Sequence, residues 1–248
     1  MVGFGTFFNI ATILVGTLLG TLLGSKLSEK TSRTVTDSLG LITIVLGGLN
    51  LMSLSDKQYV DAVTGPGTFF IVIFAVLFGG IIGSVLKIED RLEGFGGWLQ
   101  SRFSKKSQGS ESRQRFITGY VDASLIFAIG PMAILGSMSD GLGQGADTLV
   151  VKSILDGFAA IAFAASLGWG VGVSAITVGL WQGLLTAVAY FGGAGIPSAM
   201  VASITATGGI LMLGIGLRLL NLRKVAVADM LPALVLAPLF TWLVASVL

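Results

Sequence analysis

Apolar segments about twenty residues long recur along the whole chain, and this feature most limits the folds open to it. A helix needs about 20 apolar residues to cross about 30 Å of hydrocarbon. The stretch from Leu149 to Gly192 is too long for one such helix, and a glycine-rich turn at 168–172 divides it. The sequence therefore predicts eight spans, at 4–25, 36–54, 67–86, 117–137, 150–169, 172–192, 198–219 and 226–247.

The composition agrees with a chain whose exterior faces lipid. Of the 248 residues, 53% are apolar and 11% are charged, and the mean hydropathy is +0.90. A soluble domain carries roughly 25% charged residues. We therefore predict an all-α, polytopic helical bundle that forms a single transmembrane domain over 1–248, with the lipid bilayer as its partner.

Missing residue types narrow the chemistry. The chain has no cysteine and no histidine, which excludes disulfides, thiolate catalysis, imidazole metal ligands and the commonest general base. We predict no catalytic residue, no metal and no cofactor, and we expect the protein not to be an enzyme. The net charge of +2 is carried by loops, which argues against nucleic-acid binding.

Basic residues mark the sidedness of the loops. Thirteen of the fifteen lie in or next to three loops, 26–35, 87–116 and 219–225, and only Lys57 and Lys152 lie elsewhere. Basic loops stay on the cytoplasmic side. Eight spans with both termini outside place all three loops inside.

The linker after the third span has helical periodicity. Ile88, Leu92, Phe95, Leu99 and Phe103 share one face, and charged residues occupy the other. This pattern predicts an amphipathic helix over 88–103 that lies either on the cytoplasmic leaflet or against the protein's own loops. Residues 104–112 then read as a flexible tether.

A shift of 169 residues indicates an inverted repeat. It lays Gly40, Gly47 and Leu51 over Gly209, Gly216 and Leu220. Spans one to three (repeat A, 1–87) would correspond to spans six to eight (repeat B, 172–248), with the central spans at 117–169. Five spans separate the partners, so the repeats would run in opposite directions, as in many transporters. Chance similarity between apolar segments is the alternative.

Glycines recur at helical spacing in three places. Gly16, Gly20 and Gly24 stand four apart, and Gly79 with Gly83 repeats this spacing, as does Gly168 with Gly172. Such faces allow another backbone to approach closely, which favours helix packing within or between protomers. A substrate path lined by glycine is the alternative.

Polar groups inside the spans are the candidates for binding. Lys152 and Asp156 lie at i and i+4 on one helical face, either as a structural ion pair or as a cation or proton site in which Lys152 tunes Asp156. Further candidates for a solute or ion site are Asn9, Asp122, Gln182, Thr205 and Thr207. Each of the uncharged ones is equally suited to a hydrogen bond between helices.

Two spans contain residues that interrupt helices. Gly130-Pro131 lies in span four, whose outer end runs into the glycine-rich segment 136–145, and Thr207-Gly208-Gly209 lies in span seven. Backbone freed at membrane depth persists only where protein or a watery cavity surrounds it. A simple kink is the alternative reading at both positions.

Several of these motifs resemble one bacterial family, catalogued as domain of unknown function 554. The resemblance covers nearly the whole chain and is carried by the runs 118–127 and 130–137, by the Lys-Ser-Ile-Leu-Asp-Gly block at 152–157, and by Gly5-Thr6, Gln182-Gly183, 208–211 and 231–234. It implies an address in the bacterial inner membrane, and members are usually labelled transport or membrane proteins. Asp122 departs from the neutral residue expected at its position and is the weaker candidate.

These observations favour a gradient-driven transporter for a small solute or ion, since the sequence has no ATP-binding motif. An oligomeric channel, with the glycine faces joining protomers, is the first alternative, and the chain is expected to be a homo-oligomer. A membrane scaffold that docks a soluble partner is the second. An intramembrane enzyme ranks last.

Overall fold

In the computed structural model of the protein, residues 2–26, 28–103, 110–192 and 196–247 are described, and of residues 29, 99, 100, 102, 103, 110, 111 and 131 the backbone alone. These ranges are helical throughout, apart from short connections. Single turns of 3-10 helix lie at Met52–Ser55 and Ala228–Met230. The α-helices are α1 Phe4–Gly24, α2 Glu29–Leu51, α3 Lys57–Val63, α4 Gly67–Leu86, α5 Ile88–Phe103, α6 Ser110–Ala128, α7 Pro131–Gly141, α8 Asp147–Leu167, α9 Gly170–Gly192, α10 Ser198–Leu219 and α11 Ala233–Val247.

Seven helical segments of the described chain are long and apolar enough to cross a bilayer. The bounds of α4 and α10 are those predicted, and the other predicted spans differ by a few residues at their ends. Large apolar side chains such as Leu22, Phe78 and Phe191 are exposed on the helices. Exposed apolar surface of this kind is stable in lipid and costly in water. The predicted polytopic bundle is confirmed.

The fourth predicted span is two helices. α6 ends at Ala128, α7 begins at Pro131, and the two are bent by 63°. Proline has no N–H to continue the hydrogen-bond ladder, and Gly130 tolerates the bend, so the predicted interruption is confirmed. The expected unwinding over 136–145 is wrong as far as Gly141, because α7 remains helical up to that residue.

The second predicted interruption, at Thr207-Gly208-Gly209, is wrong. α10 runs without a break from Ser198 to Leu219. Its glycines serve close packing instead: a methyl group on Gly209 would lie 2.7 Å from the carbonyl oxygen of Gly47. The small residues therefore admit a neighbouring helix rather than unwinding their own.

The direction of α8 shows that the bent pair α6–α7 is a crossing. α1 and α8 are parallel: Gly5 lies beside Leu149, Gly16 beside Gly157, and Gly24 beside Ala165. Two parallel spans must have an odd number of crossings between them. α2 and α4 supply two of these, and the pair α6–α7 supplies the third. With the pair α6–α7 counted as one span, the described chain has eight candidate crossings.

The chain forms two compact units. Unit 1 comprises Met1–Leu39, Leu92–Ala128 and Met132–Gly195. Unit 2 comprises Gly40–Arg91, Ile129–Pro131 and Ile196–Leu248. Each is held together by helix pairs in which glycines meet backbone.

In unit 1, the glycine face of α1 packs on α8. Gly16, Gly20 and Gly24 lie against the carbonyl oxygens of Gly157, Ile161 and Ala165 respectively, so closely that a methyl group would overlap them. This contact extends along most of both helices. The glycine face is therefore occupied by a helix of the same chain.

In unit 2, α2 and α10 make reciprocal contacts. Gly47 faces the carbonyl oxygen of Gly209, and Gly40 faces Gly216 and the side chain of Leu220. The 169-residue shift maps Gly40 onto Gly209 and Gly47 onto Gly216, so it converts one contact into the other. A local twofold axis between α2 and α10 would relate the two contacts in the same way. The contacts support the inverted repeat at these positions, and for the rest of repeats A and B it stays a prediction.

The other glycine pair of unit 2 contacts the start of the last span. A methyl group on Gly79 would lie 2.5 Å from the nitrogen of Ala233, and Gly83 lies against the carbonyl oxygen of Asp229. The 3-10 turn Ala228–Met230 can approach α4 this closely only because neither glycine carries a side chain.

The amphipathic helix is present as α5. Part of its apolar face packs on the protein itself, because the rings of Phe95 and Tyr120 lie 6.1 Å apart. Phe95 and Trp98 nevertheless remain 44% and 59% exposed. Of the predicted tether, residues 104–109 lie outside the described residues, and 110–112 are part of α6 rather than flexible chain.

Candidate functional site

Four of the seven predicted binding residues meet inside unit 1. Asn9 projects from α1, Lys152 and Asp156 from α8, and Gln182 from α9. Asn9 and Gln182 are fully buried, while Lys152 and Asp156 are 7% and 8% exposed. We call these four side chains the polar cluster.

Asp156 is the centre of the polar cluster. Its Oδ2 accepts from the Lys152 ammonium, one helical turn earlier on the same face. The same oxygen accepts from Asn9 Nδ2 at 3.0 Å, and that amide also donates to Gln182 Oε1 at 3.2 Å. The paired charges sum to zero, which lowers the cost of holding them in an apolar bundle.

The carboxylate fixes the orientation of both amides. A carboxylate only accepts, so Asn9 must turn its nitrogen toward Asp156, and Gln182 must then turn its oxygen toward Asn9. Two atoms remain without a partner in the described structure: Asn9 Oδ1 and Gln182 Nε2. The polar cluster thus presents one unused acceptor and one unused donor in its interior.

Further buried polar atoms of unit 1 lack a hydrogen-bond partner within the described chain. A buried donor or acceptor left unmet costs about 1–3 kcal/mol, so such atoms normally meet water or a ligand. The atoms are the hydroxyls of Thr6, Thr17, Ser124, Ser137 and Thr186 and the indole nitrogen of Trp181.

The remaining predicted residues do not join the polar cluster. Thr205 and Thr207 belong to α10 of unit 2, and their hydroxyls donate to Val201 O and Ser203 O of their own helix, at 2.8 and 2.7 Å. Asp122 is fully buried on α6 of unit 1. In the described ranges no three acidic or histidine side chains gather as a metal site would require.

Asp140 was missed by the sequence reasoning. It accepts from the backbone nitrogens of Gly3 at 3.1 Å and Gly5 at 3.0 Å, and so caps the start of α1 from α7. A free helix start leaves four N–H groups unmet. The signal was indirect, because Gly3 and its neighbours supply no capping side chain of their own.

Helix α7, which carries Asp140, also packs on α8 and α9. A methyl group on Gly136 would lie 2.9 Å from the side chain of Leu149, one turn before Lys152. Gly141 lies against the carbonyl oxygen of Thr186, one turn beyond Gln182. α7 therefore contacts all three helices that carry the polar cluster.

Comparison with known proteins identifies the family of this chain. The model of the family described as "Protein of unknown function (DUF554)" matches residues 4–242. The chain belongs to the DUF554 family. No solved structure matches it.

Two relatives of this DUF554 protein cover nearly all of it. The uncharacterized membrane protein YdfK of Bacillus subtilis (strain 168) is 28% identical over 243 residues, 97% of this chain and 96% of the relative. The uncharacterized protein YqgA of Escherichia coli (strain K12) is 31% identical over 234 residues, 94% of each. The protein is a multi-span membrane protein of a family whose function is unknown.

Proposed function

We propose that the protein is a gradient-driven transporter that exchanges a small cation for protons, and that Asp156 is its ion-binding residue. The polar cluster is the supporting observation. A carboxylate held deep in a membrane bundle by one lysine and one amide is costly to keep, and intramembrane charge of this kind usually marks an ion pathway.

Competition for the carboxylate supplies a mechanism. A cation that reaches Asp156 replaces the Lys152 ammonium as its partner, and Asn9 offers its Oδ1 as a second oxygen once the amide turns. A proton can likewise neutralise Asp156, which weakens its attraction for Lys152. Either event changes the charge of the pair and so couples occupancy to the stability of the surrounding helices.

An oligomeric channel is the weaker candidate. That hypothesis required the glycine faces to join protomers around a pore. Gly16, Gly20 and Gly24 instead contact α8 of their own chain, and Gly79 and Gly83 contact residues near Ala233 and Asp229. Assembly into a homo-oligomer stays a prediction that needs some other surface.

We further propose a bacterial inner-membrane location with both termini outside. The three basic loops support this sidedness, and an even number of crossings would leave both termini on one side. Because the chain has no cysteine, single cysteines can test it. Lys57 and Arg223 are both exposed. The thiol of Lys57→Cys should react with an impermeant maleimide in intact cells. The thiol of Arg223→Cys should react only after the cells are permeabilised. The reverse pattern would invert the topology.

Ion transport is tested in liposomes with Asp156→Asn. Purified protein is reconstituted with a pH-sensitive dye inside, and gradients of Na⁺, K⁺ or Li⁺ are imposed in turn. We expect the unaltered protein to change the internal pH with at least one of these cations, and Asp156→Asn to abolish that response.

The matched control is Asp147→Asn, which removes the same charge from the exposed first turn of the same helix. It should retain the flux, and both variants should elute as the unaltered protein does. A response that survives in Asp156→Asn, or no response to any of the three cations, contradicts the proposal.

A further inference from the structure

The register of α1 and α9 arranges unit 1 in layers. The two helices are antiparallel: Asn9 meets Gln182, a methyl group on Gly179 would lie 2.7 Å from the side chain of Ile10, and one on Gly172 would lie 2.9 Å from that of Thr17. This register sets Thr6 level with Thr186, one turn nearer the start of α1 than the Asn9–Gln182 layer. On the other side of that layer, it sets Ile13 level with Val178.

The layer nearest the start of α1 is polar and borders a groove. Thr6 and Thr186 line a cavity of about 430 Å³, and the rest of its wall is mostly apolar and includes Phe7 and Phe191. Both threonines are almost fully buried, and neither hydroxyl has a partner in the described structure. In the next layer along α1 lie Asn9 and Gln182, whose Oδ1 and Nε2 atoms also lack a partner.

The layer beyond the polar cluster is apolar. Ile13 and Val178 are fully buried, and neither offers a hydrogen-bonding group to water. Polar side chains occupy the α1–α9 interface from the groove down to the Asn9–Gln182 layer and are interrupted at Ile13 and Val178. Thr17 of α1 and Ser174 of α9 are again polar and lie one turn farther on. This apolar layer therefore separates Asn9 and Gln182 from the polar residues farther along α1.

We propose that Thr6, Thr186, Asn9 and Gln182 form an oxygen- and amide-lined access route from the groove to Asp156, closed beyond it by Ile13 and Val178. The hydroxyls and amide oxygen stand in for part of a hydration shell. Since the route ends on a carboxylate, it admits small hydrated cations or protons carried by water. What passes along it rests on the proposed transport function, while water access to the route can be measured separately.

Cysteine accessibility tests the route, because the chain contains no other thiol. Thr6→Cys and Thr186→Cys are nearly isosteric and lie on different helices, so failure of one to fold leaves the other. A positively charged methanethiosulfonate reagent reacts with thiolates, which form only where water reaches the sulfur. We expect both variants to be modified about tenfold or more faster than the controls.

Two controls on α1 separate the route from its surroundings. Leu18→Cys lies on the exposed apolar face of α1, where Leu18 is 47% exposed, and Ile13→Cys lies beyond the polar cluster. Both control thiols should react slowly with the reagent. If Thr6→Cys and Thr186→Cys react no faster than Ile13→Cys, the route does not exist.

The outcomes of the two experiments are distinguishable. Fast modification at Thr6→Cys without any cation flux retains the route and removes the transport function. A flux that depends on Asp156, combined with unreactive thiols at both threonine positions, retains the transport function and removes this route.

Discussion

The two units treat buried polar groups in opposite ways. In unit 2, the Glu89 carboxylate accepts from Arg218 Nη1 at 2.5 Å and from Ala228 N at 2.7 Å, and buried hydroxyls such as that of Thr241 donate to their own helix. In unit 1, Asn9 and Gln182 each keep one unmet atom. Across the part of the chain that the structure describes, the buried side-chain atoms without a hydrogen-bond partner all belong to unit 1.

The difference indicates that the two units are under different constraints. Unmet polar atoms cost free energy, and a bundle selected only for stability would replace them with apolar groups. In the described part of unit 2, the buried Glu89 carboxylate is paired and the buried hydroxyls, such as that of Thr241, are hydrogen-bonded. Unit 1 keeps hydrogen-bonding capacity that its own side chains do not use, around the charged pair Lys152–Asp156, and this is the physical basis for placing ion binding there.

Removal of one charge from unit 2 should have the largest effect on stability. Arg218→Met leaves the buried Glu89 carboxylate without its cation, and loss of one member of a buried ion pair costs about 3–5 kcal/mol. We expect a strong drop in the thermal unfolding temperature in detergent. Arg223→Met, at an exposed position on the same side, should leave that temperature nearly unchanged. Equal temperatures for the two variants would show that unit 2 does not depend on this pair.

A methyl group on α4 of unit 2 should have the next largest effect. Gly83→Ala sets a methyl group against the carbonyl oxygen of Asp229, and overpacking of this kind costs about 1–3 kcal/mol. Gly80→Ala on the same helix is the control, because its methyl group would meet only the Met230 side chain at 3.9 Å. Equal unfolding temperatures for Gly83→Ala and Gly80→Ala would contradict close packing of Gly83 against Asp229.

Loss of the cap on α1 should have a smaller, local effect. Asp140→Ala removes both acceptors of the Gly3 and Gly5 amides, and loss of a helix cap costs about 0.5–2 kcal/mol. Hydrogen exchange at the first turn of α1 should accelerate, while α10 should keep its protection. Unchanged exchange at Gly5 would mean that the amides are satisfied in another way.

The smallest effect on stability, under about 1 kcal/mol, is expected from Thr6→Val, because the hydroxyl has no protein partner to lose. Thr207→Val in unit 2 removes a bond to Ser203 O and should be slightly more destabilising. Cation flux should show the reverse order, with Thr6→Val impaired and Thr207→Val active. If both variants transport equally well, the unmet hydroxyl of unit 1 has no role in passage.

The spans could be predicted because hydropathy reports the solvent of each segment. The same signal places Asn9, Lys152, Asp156 and Gln182 within membrane-spanning helices. Lys152 and Asp156 share a face by spacing alone, but nothing in one sequence brings α1 and α9 to them. Their convergence depends on which helices are neighbours, and that is a property of the tertiary structure.

The errors have the same origin. Thr207-Gly208-Gly209 was a candidate for a broken helix, yet α10 is intact and Gly209 admits α2 against it. Asp140 was read as part of a loose, glycine-rich end, yet it caps a helix more than a hundred residues away. A glycine within a helix indicates either close packing of a neighbouring helix or an interrupted helix, and a single sequence does not distinguish the two.

The contact between α1 and α8 limits how this protein can move. Three carbonyl oxygens of α8 are seated in the glycine face of α1, so neither helix can slide or rotate against the other without a steric clash. Asn9 and Asp156 must therefore travel together as one rigid body. A conformational change that turns Asp156 toward the opposite side of the membrane has to come from α9 and α7, which would swing around a stationary α1–α8 pair.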